Sequence, residues 1–242
     1  MHQIQSEFGN LFILDQSAIF KKIVQEIEDS FKNVDHNTDQ QFSIGLTGGS
    51  TPKAFYKWVV DQNALKKQLL THALWMTSDE RYVPLESPES NFGNADHLML
   101  TPLGVPEKNK CPWSVSDAPE HAAKIYNDRF PPNICFSLCF LGMGEDCHIA
   151  SIFPQSPLIS THSSENFTSI IVPEKGTRLT ITPTGLNHCD KIIMLVTGSS
   201  KSSALKKVLQ GSFDPDEKPA QLHKNWSSKV TWLIDPAAAK DL

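Results

Sequence analysis

Long hydrophobic runs are absent from the 242-residue sequence. Its longest apolar stretches, such as residues 192–196, are far shorter than the ~20 residues that a membrane-spanning helix needs. An excess of positive charge is absent too, since 22 Lys and Arg stand against 27 Asp and Glu and give a formal net charge of −5. This balance argues against DNA, RNA or an anionic membrane as the main partner. It leaves room for one small anion held in a local basic pocket.

A secretory leader is not expected, because residues 1–10 carry no basic flank before an apolar run. The five cysteines are an odd number, and reduced thiols in the cytoplasm are the expectation. Cys135 and Cys139 are four residues apart, but phenylalanine and leucine surround them. That setting favours a buried strand over a zinc site. We therefore expect no metal and no cofactor.

No repeat, low-complexity tract or charge block divides the chain. Charged residues make up 20% and apolar residues 39% of it, which excludes a disordered acidic protein. The 16 prolines are scattered, and no linker is long enough to separate two domains. Because the length is near the upper limit for one α/β core, we predict a single domain over residues 1–242. The oligomeric state does not follow from the sequence, which is compatible with a monomer.

Near-continuous apolar runs predict five strands, at residues 42–46, 73–77, 134–141, 191–196 and 230–234. Strands without polar alternation are typical of a sheet that is buried on both faces, which means parallel strands covered by helices. The polar residues 33–41 are predicted to form a loop. The predicted fold class is therefore α/β with a mostly parallel central sheet.

Helices are predicted on either side of these strands. Residues 17–31 have one apolar stripe and one charged face, as an amphipathic helix has. Thr51 is the predicted cap, and Pro52 the first residue, of the helix after the first strand. Two more helices are predicted, at residues 201–210 and from Pro236 onward.

The carboxyl ends of the predicted parallel strands carry polar groups suited to binding and catalysis. Ligands of open α/β sheets bind outside these ends. The first four strands are followed by Gly48-Gly49-Ser50, by Asp79-Glu80-Arg81, by Gly142 through His148, and by Gly198 through Lys201. Glycines, hydroxyls, carboxylates, an imidazole and two cations are thus expected at one edge of the sheet.

The segment Gly48-Gly49-Ser50-Thr51-Pro52 has the composition of a phosphate cradle. Two glycines allow a ligand to approach the backbone, and the helix start offers unpaired N–H groups beside hydroxyls. The segment matches neither the nucleotide P-loop nor the dinucleotide Gly-x-Gly-x-x-Gly pattern. Arg81 and Lys201 are the candidate cations for the phosphate. Arg178 has two alternative roles, either closing the site or buttressing the two carboxylates that precede Arg81.

His148 is the candidate general base. It stands just past a predicted buried strand, and Asp146 is placed to fix its tautomer and to stabilise its protonated form. A purely structural histidine is the alternative from position alone. The sequence contains no Gly-x-Ser-x-Gly elbow and no His-Glu-x-x-His pair. General-base catalysis on water is therefore favoured over covalent or metal-dependent routes.

Taken together, these segments resemble the 6-phosphogluconolactonase family, within the larger group that includes the glucosamine-6-phosphate isomerase/deaminases. The matching segments, in family order, are residues 45–52, 79–84 with 90–91, 141–154, 178–182 and 198–201. The resemblance implies a Rossmann-like three-layer α/β/α sandwich. It also implies metal-free hydrolysis of 6-phospho-D-glucono-1,5-lactone to 6-phospho-D-gluconate in the oxidative branch of the pentose phosphate pathway.

The resemblance also implies roles for individual residues. His148 would activate the attacking water, and Asp146 would orient the histidine. The implied substrate- and phosphate-binding residues are Gly48, Gly49, Ser50, Thr51, Arg81 and Lys201, with Arg178 as a further candidate. The partner is then a small phosphorylated sugar lactone.

Two other readings remain open. The sister deaminases usually continue from the histidine into an Asn-Glu-Pro segment that supplies a catalytic glutamate, whereas residues 151–154 here are Ser-Ile-Phe-Pro. They also carry Asp-Glu-Tyr where this chain has Asp-Glu-Arg at 79–81. Both differences favour the lactonase. The other reading, a non-catalytic sugar-phosphate sensor, lacks the DNA-binding module that related regulators carry.

The chain departs from the family pattern beside the candidate base. Cys147 stands where the family has glycine, and Ile149 where lactonases usually have threonine. A positive φ at residue 147 would make cysteine cost on the order of 1 kcal/mol. A cysteine at this position also raises the hypothesis that oxidation impairs activity.

Overall fold

Seven strands form one sheet in the computed structural model, which describes residues 2–33, 41–161 and 163–242. The strands are β1 (His2–Ser6), β2 (Gly9–Ile13), β3 (Ser43–Leu46), β4 (Leu74–Thr77), β6 (Leu138–Gly142), β9 (Ile192–Val196) and β10 (Val230–Ile234). Their order in space is β1-β2-β10-β9-β6-β3-β4. All neighbouring pairs are parallel except β1 and β2, which confirms the predicted mostly parallel sheet.

A second, three-stranded sheet is antiparallel and was not predicted. It consists of β5 (Asp79–Arg81), β7 (Phe167–Val172) and β8 (Gly176–Ile181), in the order β5-β8-β7. Strand β5 has only three residues, all charged, and β8 mixes threonine and arginine with apolar residues. Neither strand has the apolar run by which the central strands were identified.

Eight α-helices lie within the described residues. They are α1 (Gln16–Lys32), α2 (Ser50–Gln62), α3 (Lys67–His72), α4 (Asn91–Ala95), α5 (Pro119–Asn127), α6 (Pro157–Ser160), α7 (Pro183–His188) and α8 (Ser202–Gln210). A π-helical turn (Asp96–Leu100) and three 3-10 segments (Glu107–Asn109, Ser199–Lys201 and Pro219–Lys229) complete the described helical structure. No helix in the described ranges is long and apolar enough to cross a membrane.

Helices cover both faces of the central sheet. Along β6, Leu138 and Phe140 pack in a core with α1 and α2, whereas Cys139 and Leu141 pack in the opposite core with α5 and α8. This alternation of buried side chains explains why the strand is apolar throughout. The result is the three-layer α/β/α sandwich that the family resemblance implies.

Several predicted boundaries are wrong for local reasons. The apolar run at 134–141 becomes a strand only at Leu138, because the hydroxyls of Ser43 and Ser137 each accept the other residue's backbone N–H at 3.2 Å. Residues 236–241 form turns instead of a helix, and the carboxylate of Asp235 accepts the N–H of Ala238 at 2.7 Å. The helix predicted at 17–31 is confirmed as α1. The predicted loop at 33–41 lies almost wholly outside the described residues.

Thr51 does not cap α2. The helix starts two residues earlier than predicted, with Gly49 at the cap position at φ 110° and with no side-chain capping bond. The Thr51 hydroxyl lies 2.5 Å from the hydroxyl of Thr197, which joins the turn after β3 to the turn after β9.

Candidate active site

The carboxyl ends of β3, β4, β6 and β9 meet at one edge of the sheet, as predicted. Strand β3 lies between β6 and β4. The chain therefore adds β4 on one side of β3 and later adds β6 on the other side, which makes the gap between β3 and β6 a switch point. Such a switch point opens a crevice for ligands. A cleft of about 520 Å³ lies there. Its lining includes six of the predicted site residues: Gly48, Gly49, Arg81, His148, Arg178 and Lys201.

Ser50, Thr51 and Asp146 are predicted site residues that do not line the cleft. Ser50 is the exposed first residue of α2, and Thr51 is bonded to Thr197. Asp146 lies behind His148 and contacts it. In contrast, Asp79, Asn91, Ser151 and Phe153 line the cleft and were not predicted as site residues.

Two glycine turns form part of the cleft wall. A side chain at position 48 would collide with Asn91, because a Cβ there would lie 1.8 Å from the Asn91 Oδ1. Gly49 leaves the first N–H groups of α2 without a side-chain cap, and such groups bind anions. Gly198, at φ 94°, begins the turn that presents Lys201. The carboxylate of Asp235 fixes this turn by accepting the Gly198 N–H at 3.0 and 3.1 Å.

Two arginines stand side by side in the cleft. Arg81 of β5 and Arg178 of β8 are directly opposite each other in the antiparallel register. Their recorded side-chain bonds go to backbone carbonyls, from Arg81 to Glu89 at 2.6 Å and from Arg178 to Thr177 at 3.1 Å. Partial burial, and then the charge of Arg81, lower the pKa of Arg178. Across the described ranges, neither arginine forms an ion pair with a carboxylate.

Glu80 holds β5 against the start of α4. Its carboxylate is fully buried and accepts four hydrogen bonds, from the backbone N–H groups of Arg81, Asn91 and Phe92 and from the Ser90 hydroxyl. Burial raises the pKa of Glu80 in spite of these bonds. Arg178 is not among the hydrogen-bond partners of this carboxylate. The geometry therefore favours a role for Arg178 in the cleft over a role in supporting Glu80.

Asp79 contributes a carboxylate to the cleft itself. It accepts a hydrogen bond from the Ser151 hydroxyl at 2.8 Å and one from the Asn91 amide at 3.2 Å. Burial raises the pKa of Asp79. The two bonds fix the carboxylate between the turn after β6 and the start of α4.

His148 and Asp146 form a hydrogen-bonded pair. The His148 Nδ1 lies 2.5 Å from the Asp146 Oδ1. Partial burial works to raise the pKa of Asp146, but the charge and hydrogen bonds of His148 outweigh it and lower that pKa. An ionised Asp146 favours the tautomer with the proton on Nδ1, which leaves Nε2 as an acceptor. This arrangement suits a general base in the cleft.

The loop that carries the pair is tight. A Cβ at Gly144 would lie 2.0 Å from the His148 Nδ1 and 2.2 Å from the Asp146 Oδ1, so glycine is required there. The Gly144 N–H donates to the His148 carbonyl at 2.9 Å, and the Cys147 N–H donates to the Gly144 carbonyl at 3.1 Å. These backbone bonds set the distance between Asp146 and His148.

Cys147 has the positive φ that the sequence analysis considered, at 68°. Its side chain is buried, and the thiol lies 3.7 Å from the carbonyl oxygen of Ala204 in α8. Burial raises the pKa of the thiol, so the unreactive protonated form is favoured. This environment argues against the hypothesis that Cys147 makes the site sensitive to oxidation.

Metal-ligating side chains do not cluster in the part of the chain that the structure describes, where no group of three or more His, Cys, Asp or Glu could hold an ion. All five cysteines are free and buried.

Fold and site together define an α/β protein of Rossmann-like architecture with a cation-lined cleft at the switch point of its sheet. Residues 14–232 match the family model described as glucosamine-6-phosphate isomerases/6-phosphogluconolactonase. The chain therefore belongs to this family.

Individual relatives agree with the family assignment. The chain is 32% identical over 218 residues to the 6-phosphogluconolactonase of Synechocystis, covering 84% of this chain and 85% of that protein. It is 29% identical over 214 residues to the human 6-phosphogluconolactonase, covering 83% of this chain and 80% of that protein. In fold it is similar to the 6-phosphogluconolactonase of Trypanosoma brucei, with a TM-score of 0.82 at 22% identity over all of both chains.

Proposed function

We propose that the chain hydrolyses 6-phospho-D-glucono-1,5-lactone to 6-phospho-D-gluconate, with His148 as general base and without a metal. Its enzyme class, a lactonase among the carboxylic ester hydrolases, follows from relatives that are 30–32% identical over most of the chain. One observation carries the mechanism. His148, bonded to Asp146 through Nδ1, shares a cleft with Arg81, Arg178 and Lys201.

The proposed reaction begins with a water molecule attacking the lactone carbonyl carbon. As the C–O bond forms, His148 Nε2 takes a proton from the water and the carbonyl oxygen becomes an oxyanion. Asp146 stabilises the imidazolium that results. The oxyanion then collapses, the bond from the carbonyl carbon to the ring oxygen breaks, and the imidazolium returns its proton to that oxygen. Water is consumed, and the histidine ends as it began.

The phosphate ester supplies the binding energy that holds the lactone against His148. Arg81, Arg178 and Lys201 provide the positive charge, and the glycine turn at Gly48 and Gly49 provides backbone N–H groups at the start of α2. Positioning of this kind lowers the barrier, because the reacting groups no longer have to meet by diffusion.

The competing deamination finds less support in this cleft. The described segment after His148 brings Ser151 and Phe153 to the cleft, and neither carries a carboxylate. The cleft carboxylates, at Asp79, Glu89 and Glu174, come from other elements. The proposal accordingly places the chain with the lactonases. It further holds that residues 1–242 act as one domain in the cytoplasm, with no nucleic acid or membrane partner.

The test is acid release from freshly prepared 6-phosphogluconolactone, followed in a pH-stat and corrected for spontaneous hydrolysis. We expect saturable hydrolysis that survives dialysis against EDTA. Unphosphorylated gluconolactone is the matched control and should be a far poorer substrate. Ammonia release from glucosamine 6-phosphate would instead identify a deaminase, and saturable binding of the lactone without turnover would identify a sensor.

A further inference from the structure

The His148 ring has a second fixed neighbour besides Asp146. The ring of Phe153 lies against it, with centroids 4.2 Å apart and planes 29° from parallel. The hydrogen bond that His148 Nδ1 donates to Asp146 acts in the plane of the imidazole, whereas Phe153 contacts its face. An in-plane bond alone leaves a ring free to tilt about that bond, and the stacking contact opposes this tilt.

The backbone between the two rings is shaped to produce this stack. Ile149 and Ile152 exchange backbone hydrogen bonds, at 2.8 Å from the Ile152 N–H and at 3.4 Å from the Ile149 N–H. Ala150, at φ 47°, makes the tight reversal between them. Both isoleucines are fully buried. The reversal therefore rests on the core and returns Phe153 to the face of His148.

The far side of the cleft also contacts Phe153. Lys175 stands in the turn between β7 and β8 and donates its backbone N–H to the Val172 carbonyl at 3.1 Å. Its ammonium group lies 5.3 Å from the centroid of the Phe153 ring, a cation–π contact. Lys175 and Phe153 both line the cleft. The contact holds Phe153 from the turn between β7 and β8, whereas His148 lies in the loop after β6.

We propose that Phe153 is a positioning residue, which acts through His148 by holding the imidazole plane so that Nε2 faces the bound lactone. This role rests on the proposed function. The phenyl ring of Phe153 carries no group that can take or donate a proton. Since misplacement by about 1 Å costs up to about 10²-fold in rate, loss of the ring should lower turnover more than substrate binding.

The variants Phe153→Leu and Phe153→Tyr test this role. Leucine keeps an apolar side chain but removes the ring, and kcat should fall roughly tenfold while KM changes by less than about twofold. Tyrosine restores the ring and should recover most of the lost kcat. Phe130→Leu is the matched control, because Phe130 is also partly buried and contacts other rings but does not line the cleft. It should lower Tm without changing kcat.

A second readout does not depend on the substrate. The imidazole proton resonances of His148, assigned by their loss in His148→Gln, should carry a ring-current shift in the wild type and in Phe153→Tyr but not in Phe153→Leu. Equal kcat in all three proteins, or a fall in kcat that Tyr does not restore, would overturn the positioning role. If the wild type shows the ring-current shift but hydrolyses no lactone, the proposed function fails separately from the stack.

Discussion

Arg81 and Arg178 lie directly opposite each other on the antiparallel strands β5 and β8. Like charges in such a pair repel each other. Among the residues that the structure describes, both guanidinium groups donate hydrogen bonds only to backbone carbonyls. The arrangement costs free energy in the unliganded protein, and an anion bound by both groups removes the repulsion. The pair is thus better explained by ligand binding than by stability.

Replacement of either arginine by glutamine should weaken phosphate recognition. We expect KM for the phosphorylated lactone to rise about tenfold, which corresponds to about 1.4 kcal/mol of charge-assisted hydrogen bonding. KM for unphosphorylated gluconolactone should hardly change. Lys124→Gln, which removes an exposed cation paired with Asp128, serves as the control. Equal losses on both lactones would show that the arginines do not bind the phosphate.

Asp146→Asn should lower kcat on the order of 10²-fold, at the low end of the range for general-base catalysis. The amide no longer stabilises the imidazolium that forms when His148 takes the proton. Measured kcat that is unchanged in the folded variant would mean that the 2.5 Å contact has no part in the reaction.

Backbone strain at Cys147 can be measured with two substitutions that both remove the thiol. At φ 68°, Cys147→Gly should be more stable than Cys147→Ala by about 1 kcal/mol, because only the alanine keeps a Cβ in the left-handed region. Urea unfolding of both variants gives the difference. An alanine variant as stable as the glycine variant would mean that the turn carries no strain.

His223 should make the protein less stable in acid. It is fully buried, accepts a hydrogen bond from the Trp226 indole at 2.9 Å, and burial lowers its pKa from 6.5 to about 3. Between these values the unfolded chain binds the proton and the folded chain does not, so stability is lost as pH falls below 6.5. From pH 8 to pH 5 the loss from this group is about 2 kcal/mol.

The control for this prediction is His223→Gln. The variant should be less stable than the wild type at pH 8, because packing and the bond from Trp226 are disturbed. Its unfolding free energy should then fall by less on going to pH 5. Parallel pH dependence in the two proteins would show that His223 does not titrate on unfolding.

The sequence predicts the central sheet better than the rest of the fold. Strands such as β9 are buried on both faces, and their apolar runs are visible without any tertiary information. Strand β5 consists of Asp79, Glu80 and Arg81, and it pairs only because Glu80 bonds to α4 and β8 lies alongside. Such a strand depends on contacts distant in sequence, which a local pattern does not contain.

The residues of the candidate site likewise divide into those that a local sequence pattern predicts and those that depend on contacts distant in sequence. Glycines, cations and the histidine at strand ends were predicted, because the carboxyl ends of parallel strands must meet. Asn91 and Phe153 were missed as site residues, since the former reaches the cleft from a separate short helix and the latter through the reversal at Ala150. The prediction that Thr51 caps α2 was wrong, because its hydroxyl instead contacts the hydroxyl of Thr197, 146 residues away in the chain.

The central claim is that His148 takes the proton from the attacking water. The most direct measurement compares initial rates of acid release from fresh 6-phosphogluconolactone by the wild type and by His148→Gln at pH 7, with far-UV circular dichroism to verify folding. The account predicts that the folded variant loses at least about 10²-fold in kcat, while KM remains within a few-fold. A folded variant that keeps wild-type kcat would contradict the account.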